Sequence, residues 1–158
     1  MTRDKVIESL KQYFQVYELV GRKTYKKYGE DSWQFLQTEA LHTLLVLRVL
    51  VGRKATINDW YWGGKYQQRG LRTNLQQLFR LYFYKSILYL SGHPLGCAFD
   101  VVFEGISANE VRRLIIANQH KFPYKIRLER KKNGKFITWV HIDTKHLKRN
   151  PKVYLFNV

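Results

Sequence analysis

The chain has 158 residues, 45% of them apolar and 25% charged, with four Trp, eleven Tyr and nine Phe against ten Gly and three Pro. That is enough apolar material for one packed core, and it excludes a disordered tail, a collagen-like rod and a low-complexity linker. Lys and Arg number 28 against 12 Asp and Glu, a formal charge of +16, which directs the chain toward polyanionic partners, nucleic acid or anionic cell-wall polymer.

In chain order, the first predicted helix covers residues 2–20, with Thr2 as N-cap and Val6, Leu10, Phe14 and Tyr17 recurring at helical steps. A basic loop, 22–27, follows. A second helix begins at Thr38, places Leu41, Leu44, Leu45 and Arg48 on one side and stops at Gly52. Residues 55–62, rich in β-formers and ended by Gly63-Gly64, read as a strand and turn. A helix over 75–84 and a short strand over 87–90 come next, then a buried strand over 97–103 containing one charge, Asp100. Ser107 and Glu110 form a capping box ahead of a helix whose apolar face is Val111, Leu114 and Ile115. Strands over 124–129 and 135–143 flank Asn133-Gly134, a hairpin signal, and 153–158 add an edge strand. There is no internal repeat and no linker composition, so a single domain over 1–158 is expected. Helices first and a mainly antiparallel sheet later make it α+β.

No apolar run approaches the roughly 20 residues of a membrane span; the run 44–47 is cut by Arg48. The first residues lack the apolar stretch of a secretory signal, so the expected product is made in the cytoplasm without a signal peptide. The single cysteine, Cys97, excludes an internal disulfide and a Cys-rich zinc site. Any metal must be held by His and carboxylate.

Two segments carry chemistry. In Ser91-Gly92-His93-Pro94-Leu95-Gly96-Cys97-Ala98-Phe99-Asp100, Pro and Gly allow the chain to fold back so that an imidazole and a carboxylate converge. Asp100 sits in an apolar strand, where a carboxylate is costly unless paired, hydrogen-bonded or metal-bound. Thr138-Trp139-Val140-His141-Ile142-Asp143 places Trp139, His141 and Asp143 on one strand face. Two His and one Asp from two strands make a three-ligand set that leaves tetrahedral zinc an open position. The residue types alone also allow a His bonded to a backbone carbonyl and an Asp in a buried ion pair.

The string S-x-H-x-x-G-x-A-x-D (Ser91, His93, Gly96, Ala98, Asp100) followed by W-x-H-x-D (Trp139, His141, Asp143) resembles the D-alanyl-D-alanine metallopeptidase family. Its members are zinc carboxypeptidases and endopeptidases that cut peptidoglycan stem peptides and share a core with the hedgehog signalling domain. Upstream, Ile57-Asn58-Asp59-Trp60, Gly63-Gly64 and Arg69-Gly70-Leu71-Arg72 are similar to a phage-type branch, as are Glu18-Leu19-Val20 and the helix through Leu44 and Arg48. Together the matches span nearly the whole chain.

The resemblance implies a hedgehog-like α+β fold, His93, Asp100 and His141 as zinc ligands, and Arg72 at the substrate carbonyl. Zinc would bring the pKa of a bound water toward neutrality, and Arg72 would stabilise the developing oxyanion. Ser91 and Trp139 join as substrate-side residues of the motif. Many members carry an acid three residues before the last His; here that position is Thr138. Glu129 is the candidate substitute, opposite Thr138 across a two-residue turn, or opposite Ile137 across a three-residue one, with charge balance for Arg127, Arg130 and Lys131 as its other reading. Asp143 is the second candidate base, with orientation of an imidazole as its other reading.

The remaining reactive residues have plainer expectations. Cys97 is a small buried filler rather than a nucleophile. His42 belongs to a helix face, His120 to a helix end, and His146 to a loop near the strand. Trp60 and Trp62 divide between core and cleft wall.

Three function classes follow: a monomeric zinc peptidase of phage or prophage origin, acting on peptidoglycan at the cell wall or from a virion and held to anionic wall polymers by its basic C-terminal region; a nucleic-acid-binding or virion structural module, favoured by aromatics among the cations at 23–28 and 66–84; or a metallopeptidase fold that keeps zinc without activity. That C-terminal region, residues 121–158, has eleven Lys and Arg against Glu129 and Asp143.

Overall fold

The computed structural model describes residues 1–73, 91–145 and 151–158; the predicted helix 75–84, the predicted strand 87–90 and His146 lie outside them. Helices α1 (Arg3–Lys11), α2 (Val16–Leu19), α3 (Arg22–Tyr28) and α4 (Thr38–Val51) precede strands β1 (Ala55–Thr56) and β2 (Ala98–Phe103), and α5 (Ala108–Ala117) leads into β3 (Ile126–Lys132), β4 (Lys135–Asp143) and β5 (Val153–Asn157). The five strands form one mixed sheet in the order β1-β2-β4-β3-β5. Three neighbouring pairs are antiparallel, and β5 runs parallel to β3 along the edge. The arrangement is α+β, and among the described residues no helix is long and apolar enough to cross a membrane.

The predicted 2–20 helix is broken in two. Val6 and Leu10 are buried on α1, and Phe14 follows them into the core. Val16, Leu19 and Val20 are also fully buried, yet a continuous helix would carry Val16 and Leu19 away from the Val6–Leu10–Phe14 stripe. The chain instead turns after α1 and restarts at Gln15, whose N–H donates to Glu18 Oε2 at 2.7 Å in a capping box. Thr2 occupies the N-cap position but makes no side-chain cap hydrogen bond.

The segment expected as a basic loop is helix α3, which buries no residue. Lys, Arg and Tyr are acceptable helix formers, and the ends are set by Gly21 and Gly29. On α4 the N-cap is Gln37; the hydroxyl of Thr38 accepts from Arg3 Nη1 at 2.9 Å, tying α1 to α4. Gly52 ends α4 in the left-handed conformation, as expected.

Only Ala55–Thr56 of the predicted 55–62 strand joins the sheet; Trp60–Trp62 is a 3₁₀ turn. Polar side chains compete with the ladder here. Asp59 Oδ1 accepts the Tyr66 N–H at 2.6 Å, and Asn58 donates to the Val20 carbonyl and accepts from the Arg69 N–H. The Ser107–Glu110 capping box opens α5 as predicted, with Val111 and Ile115 buried. Asn133 (φ 49°) and Gly134 (φ 76°) make the two-residue β3–β4 turn, both in the left-handed region that type I′ geometry demands.

One sheet face carries Phe99, Val101, Leu128, Val140 and Ile142 into the core shared with α1, α4 and α5. The opposite face carries Asp100, His141 and Glu129.

Candidate metal centre

Strand pairing assembles the site. Asp100 on β2 is the cross-strand partner of His141 on β4, and His141 is in turn the partner of Glu129 on β3. Cross-strand partners share a face, so the three side chains stand in one row. Two residues along, Ala98, Asp143 and Arg127 form the next row.

His93 joins from the loop before β2. This loop is tightly closed: the Leu95 and Cys97 N–H groups both donate to the Gly92 carbonyl, and Gly96 N–H donates to the His93 carbonyl. Gly96 has φ 67°, and a Cβ there would meet the Phe35 carbonyl oxygen at 2.1 Å. A Cβ on Gly92 would lie 2.9 Å from the Ala98 Cβ. The glycines and alanine of the motif therefore let the loop lie flat on β2, which delivers His93 to Asp100. The Ser91 hydroxyl accepts from the His93 N–H at 3.4 Å, within the same loop.

Both imidazoles are buried, His93 at 1% and His141 at 7% exposure. His93 Nδ1 lies 3.0 Å from the Gly70 carbonyl oxygen. A carbonyl only accepts, so Nδ1 carries the proton, and Nε2 is the nitrogen turned to Asp100 Oδ2, 3.4 Å away. His141 Nδ1 lies 2.7 Å from Asp100 Oδ1, and its Nε2 lies 3.1 Å from Asp143 Oδ2. Asp143 is itself held by a fork, Arg127 Nε to Oδ1 at 2.7 Å and Nη2 to Oδ2 at 2.9 Å. One donor atom each from His93, Asp100 and His141 lies within 4.8 Å of the others.

This donor set could hold a metal ion. Two imidazole nitrogens and a carboxylate suit zinc, whose tetrahedral bonds would set donors about 3.4 Å apart. Each imidazole also gives its other nitrogen to an oxygen, Gly70 or Asp143, the arrangement that fixes tautomer and ring orientation in metal-ligating histidines. The pKa shifts describe another state of the same groups, an ion pair in which a proton occupies His141 Nδ1 and which a metal would have to displace. Burial alone would raise the Asp100 pKa, but hydrogen bonds from His141 and His93 outweigh it and hold the carboxyl well below the usual range. Burial would lower His141, but the hydrogen bonds and charges of Asp100 and Asp143 push it up to about 9.

Comparison with protein-family models, with curated proteins and with solved structures returns no match. The centre is therefore read from its own geometry.

Glu129 faces neither Thr138 nor Ile137. The turn sets Lys132 opposite Lys135 and Lys131 opposite Phe136, as a two-residue turn requires, but the register then shifts and Glu129 pairs with His141. The extra β4 residues form a bulge whose carbonyls are bound by a buried side chain from α5. Arg112, 4% exposed, donates from Nε to the Glu129 carbonyl and from Nη2 to those of Ile137 and Trp139. Nothing in the sequence pattern singled out Arg112; an Arg beside buried Val111 on a strongly amphipathic helix is the one available sign. Glu129 is 8% exposed, and its Oε1 is buried with no hydrogen-bond partner among the described residues.

Asp143 has both oxygens engaged by Arg127 and His141 and is 1% exposed. Burial would raise its pKa, but the bonds from His141 and Arg127 hold it low. Both of its oxygens are occupied in holding Arg127 and His141. Beside the centre opens a cleft of about 400 Å³ lined by Lys65, Tyr66, Gln67, Gln68, Arg69, Arg72, Asp100 and Trp139. The structure thus brings Arg72 and Trp139 to the same opening as Asp100. Arg72 Nη1 donates to the Gln68 carbonyl at 2.9 Å.

The other candidates stay apart from this cluster. Cys97 is buried, and burial pushes its thiol up to about 11. His42 lies edge-on to Tyr124, 5.8 Å between ring centres. Trp60 donates to the Val20 carbonyl, whereas Trp62 is 62% exposed.

Proposed function

We propose that the chain is a zinc-dependent peptidase of hedgehog/D-alanyl-D-alanine peptidase-like fold that cleaves peptidoglycan stem peptides. The observation that carries this reading is the convergence of His93 Nε2, the Asp100 carboxylate and His141 Nδ1, each imidazole being held at its other nitrogen by an oxygen. The resemblance of Ser91–Asp100 and Trp139–Asp143 to a phage-type branch of that family supplies the substrate class and a role at the cell wall, in lysis or from a virion.

Bound zinc supplies a Lewis acid that acidifies water and polarises a carbonyl. The protein's own groups do the rest. Asp143, clamped by Arg127, keeps the Nε2 proton of His141 in place, so that Nδ1 faces Asp100. Gly70 does the same for His93. Glu129 is the general base: its Oε1 is buried, without a hydrogen-bond partner among the described residues and on the strand position facing His141, which leaves it able to take a proton. Arg72 lines the cleft and supplies a fixed positive charge to an oxyanion, while Trp139 forms its wall.

The test is metal analysis together with mass spectrometry of muropeptides released from purified peptidoglycan. About one zinc per chain, with release abolished by chelator and by His93→Ala, is expected. Retention of metal and activity in His93→Ala would refute the reading, and a zinc-loaded protein inert on every wall preparation would leave the ion a structural role.

One observation favours nucleic acid as a second reading. Helix α3, with Arg22, Lys23, Lys26 and Lys27 exposed, meets Tyr61 through Tyr25, and Tyr61 and Trp62 are 54% and 62% exposed. Aromatic faces among cations suit single strands. Such binding weakens steeply with salt and persists in His93→Ala.

A further inference from the structure

Two exposed aromatic side chains stand together outside the metal centre. Tyr61 and Trp62 are neighbours on the 3₁₀ turn Trp60–Trp62, and more than half of each is open to water. Removing rings of this size from water is favourable, so an adjacent pair left outside is apolar surface kept available for a ligand.

The rings are held in fixed positions. Tyr61 stacks on Tyr17 of α2, with ring centres 4.1 Å apart and planes at 15°. Trp62 stands nearly perpendicular to both, 5.4 Å and 79° from Tyr17 and 5.9 Å and 82° from Tyr61. Asp59 locks the turn beneath them: its carbonyl accepts from the Trp62 and Gly64 N–H groups, and its carboxylate accepts from the Tyr66 N–H. A Cβ on Gly64 would collide with that carboxyl group. Aromatic side chains fixed in this way lose little conformational entropy on binding.

The turn is also continuous with the cleft. Lys65 and Tyr66 line the opening beside Asp100, and only Gly63 and Gly64 separate them from Trp62. One short segment, 59–66, thus presents two rings to solvent and walls the cleft, so a single ligand can engage both. The charges at the rings suit a sugar. Burial, and after it the charges of Glu18 and Glu30 among others, raise the pKa of the Tyr17 phenol, which puts two carboxylates close to the stack. Carboxylates repel a phosphodiester but accept hydrogen bonds from hydroxyls. The C–H face of a pyranose packs on an aromatic ring, whose face is electron-rich.

We infer that Tyr61 and Trp62 form a seat for a pyranose ring, and that the ligand is the glycan strand of the polymer whose stem peptide enters the cleft. This deepens the peptidase reading and rests on it for the identity of that polymer. Single-stranded nucleic acid, drawn by the cations of α3, is the rival occupant.

The experiment measures binding by calorimetry on the full chain in excess chelator, where nothing is cleaved. The probes are glycan strands freed of peptide by an amidase and an oligo-dT of similar length. The strands are expected to bind, with an affinity that changes less than about threefold between about 50 and 500 mM salt, because stacking releases few counterions. Trp62→Ala should weaken the strands at least about tenfold, Tyr61→Ala should weaken them as well, and Trp62→Tyr should retain most of the affinity because a ring face returns.

Strands that do not bind would overturn the inference. So would a Trp62→Ala variant, folded by circular dichroism, that holds them as tightly as the wild-type chain. Binding of oligo-dT alone, dependent on Trp62 and lost steeply with salt, would also overturn it and give the rings to nucleic acid. Cleavage of purified peptidoglycan by the zinc-loaded chain is scored separately: strand binding without cleavage overturns the peptidase and keeps the sugar seat, whereas cleavage without strand binding does the reverse.

Discussion

Glu129 and His141 are direct partners across the β3–β4 ladder, and that pairing exists because the register shifts between Glu129 and Lys131. Without the shift, the carboxylate would stand beside Thr138, further from the row that holds Asp100. Glu129→Gln preserves shape and removes the proton acceptor. We expect it to keep about one zinc and to lose about 10²–10⁴-fold in turnover, the usual worth of a positioned base. Metal content and initial rates on soluble stem peptide check this, and full activity would exonerate Glu129.

Asp143 is expected to act through His141. Asp143→Asn retains size but weakens the hold on the Nε2 proton, and loss of such a partner costs about 10–100-fold in metal affinity. Competition with a chromophoric zinc chelator measures it. An unchanged affinity would contradict the orienting role.

Arg112 binds three carbonyls at the bulge, and Arg112→Met leaves all three without their donor. Hydrogen bonds to a charged group are worth about 1.5–3 kcal/mol each, and part of the loss is recovered by water, so a destabilisation of about 3 kcal/mol or more is expected in urea unfolding. A change below about 1 kcal/mol would mean that the bulge holds itself.

Cys97 should be nearly inert in the folded chain. A thiol raised to about 11 is ionised to only about one part in a thousand at pH 8, and the reactive thiolate rises tenfold per pH unit up to that pKa. Alkylation should therefore be slow at pH 8, accelerate with rising pH, and become ordinary on unfolding in urea. Fast labelling of native protein at pH 7 would contradict the burial.

Much of this was legible from residue types. An apolar run located β2, helical spacing located α4 and α5, and the stops at Gly52 and Asn133-Gly134 marked the end of α4 and the hairpin. The His93, Asp100 and His141 set was legible from the resemblance of two short strings, Ser91–Asp100 and Trp139–Asp143, to a metallopeptidase motif. What escaped was tertiary. The α1–α2 break depends on which core Val16 and Leu19 enter, and the short β1 on side-chain bonds from Asn58 and Asp59. The Glu129 register depends on a bulge filled from another element by Arg112.

The residues Arg69, Gly70 and Leu71 bond in succession to Asp100, to the His93 ring and to Leu19 and Gly21. A Cβ on Gly70 would lie 1.9 Å from the Leu19 carbonyl oxygen. This short clasp links the α2–α3 junction to the sheet face that carries Asp100 and His141. Zinc binding at the proposed centre is expected to reach the helical half through this clasp, and slower deuterium uptake at the Gly21 and Leu71 amides on zinc addition would register it.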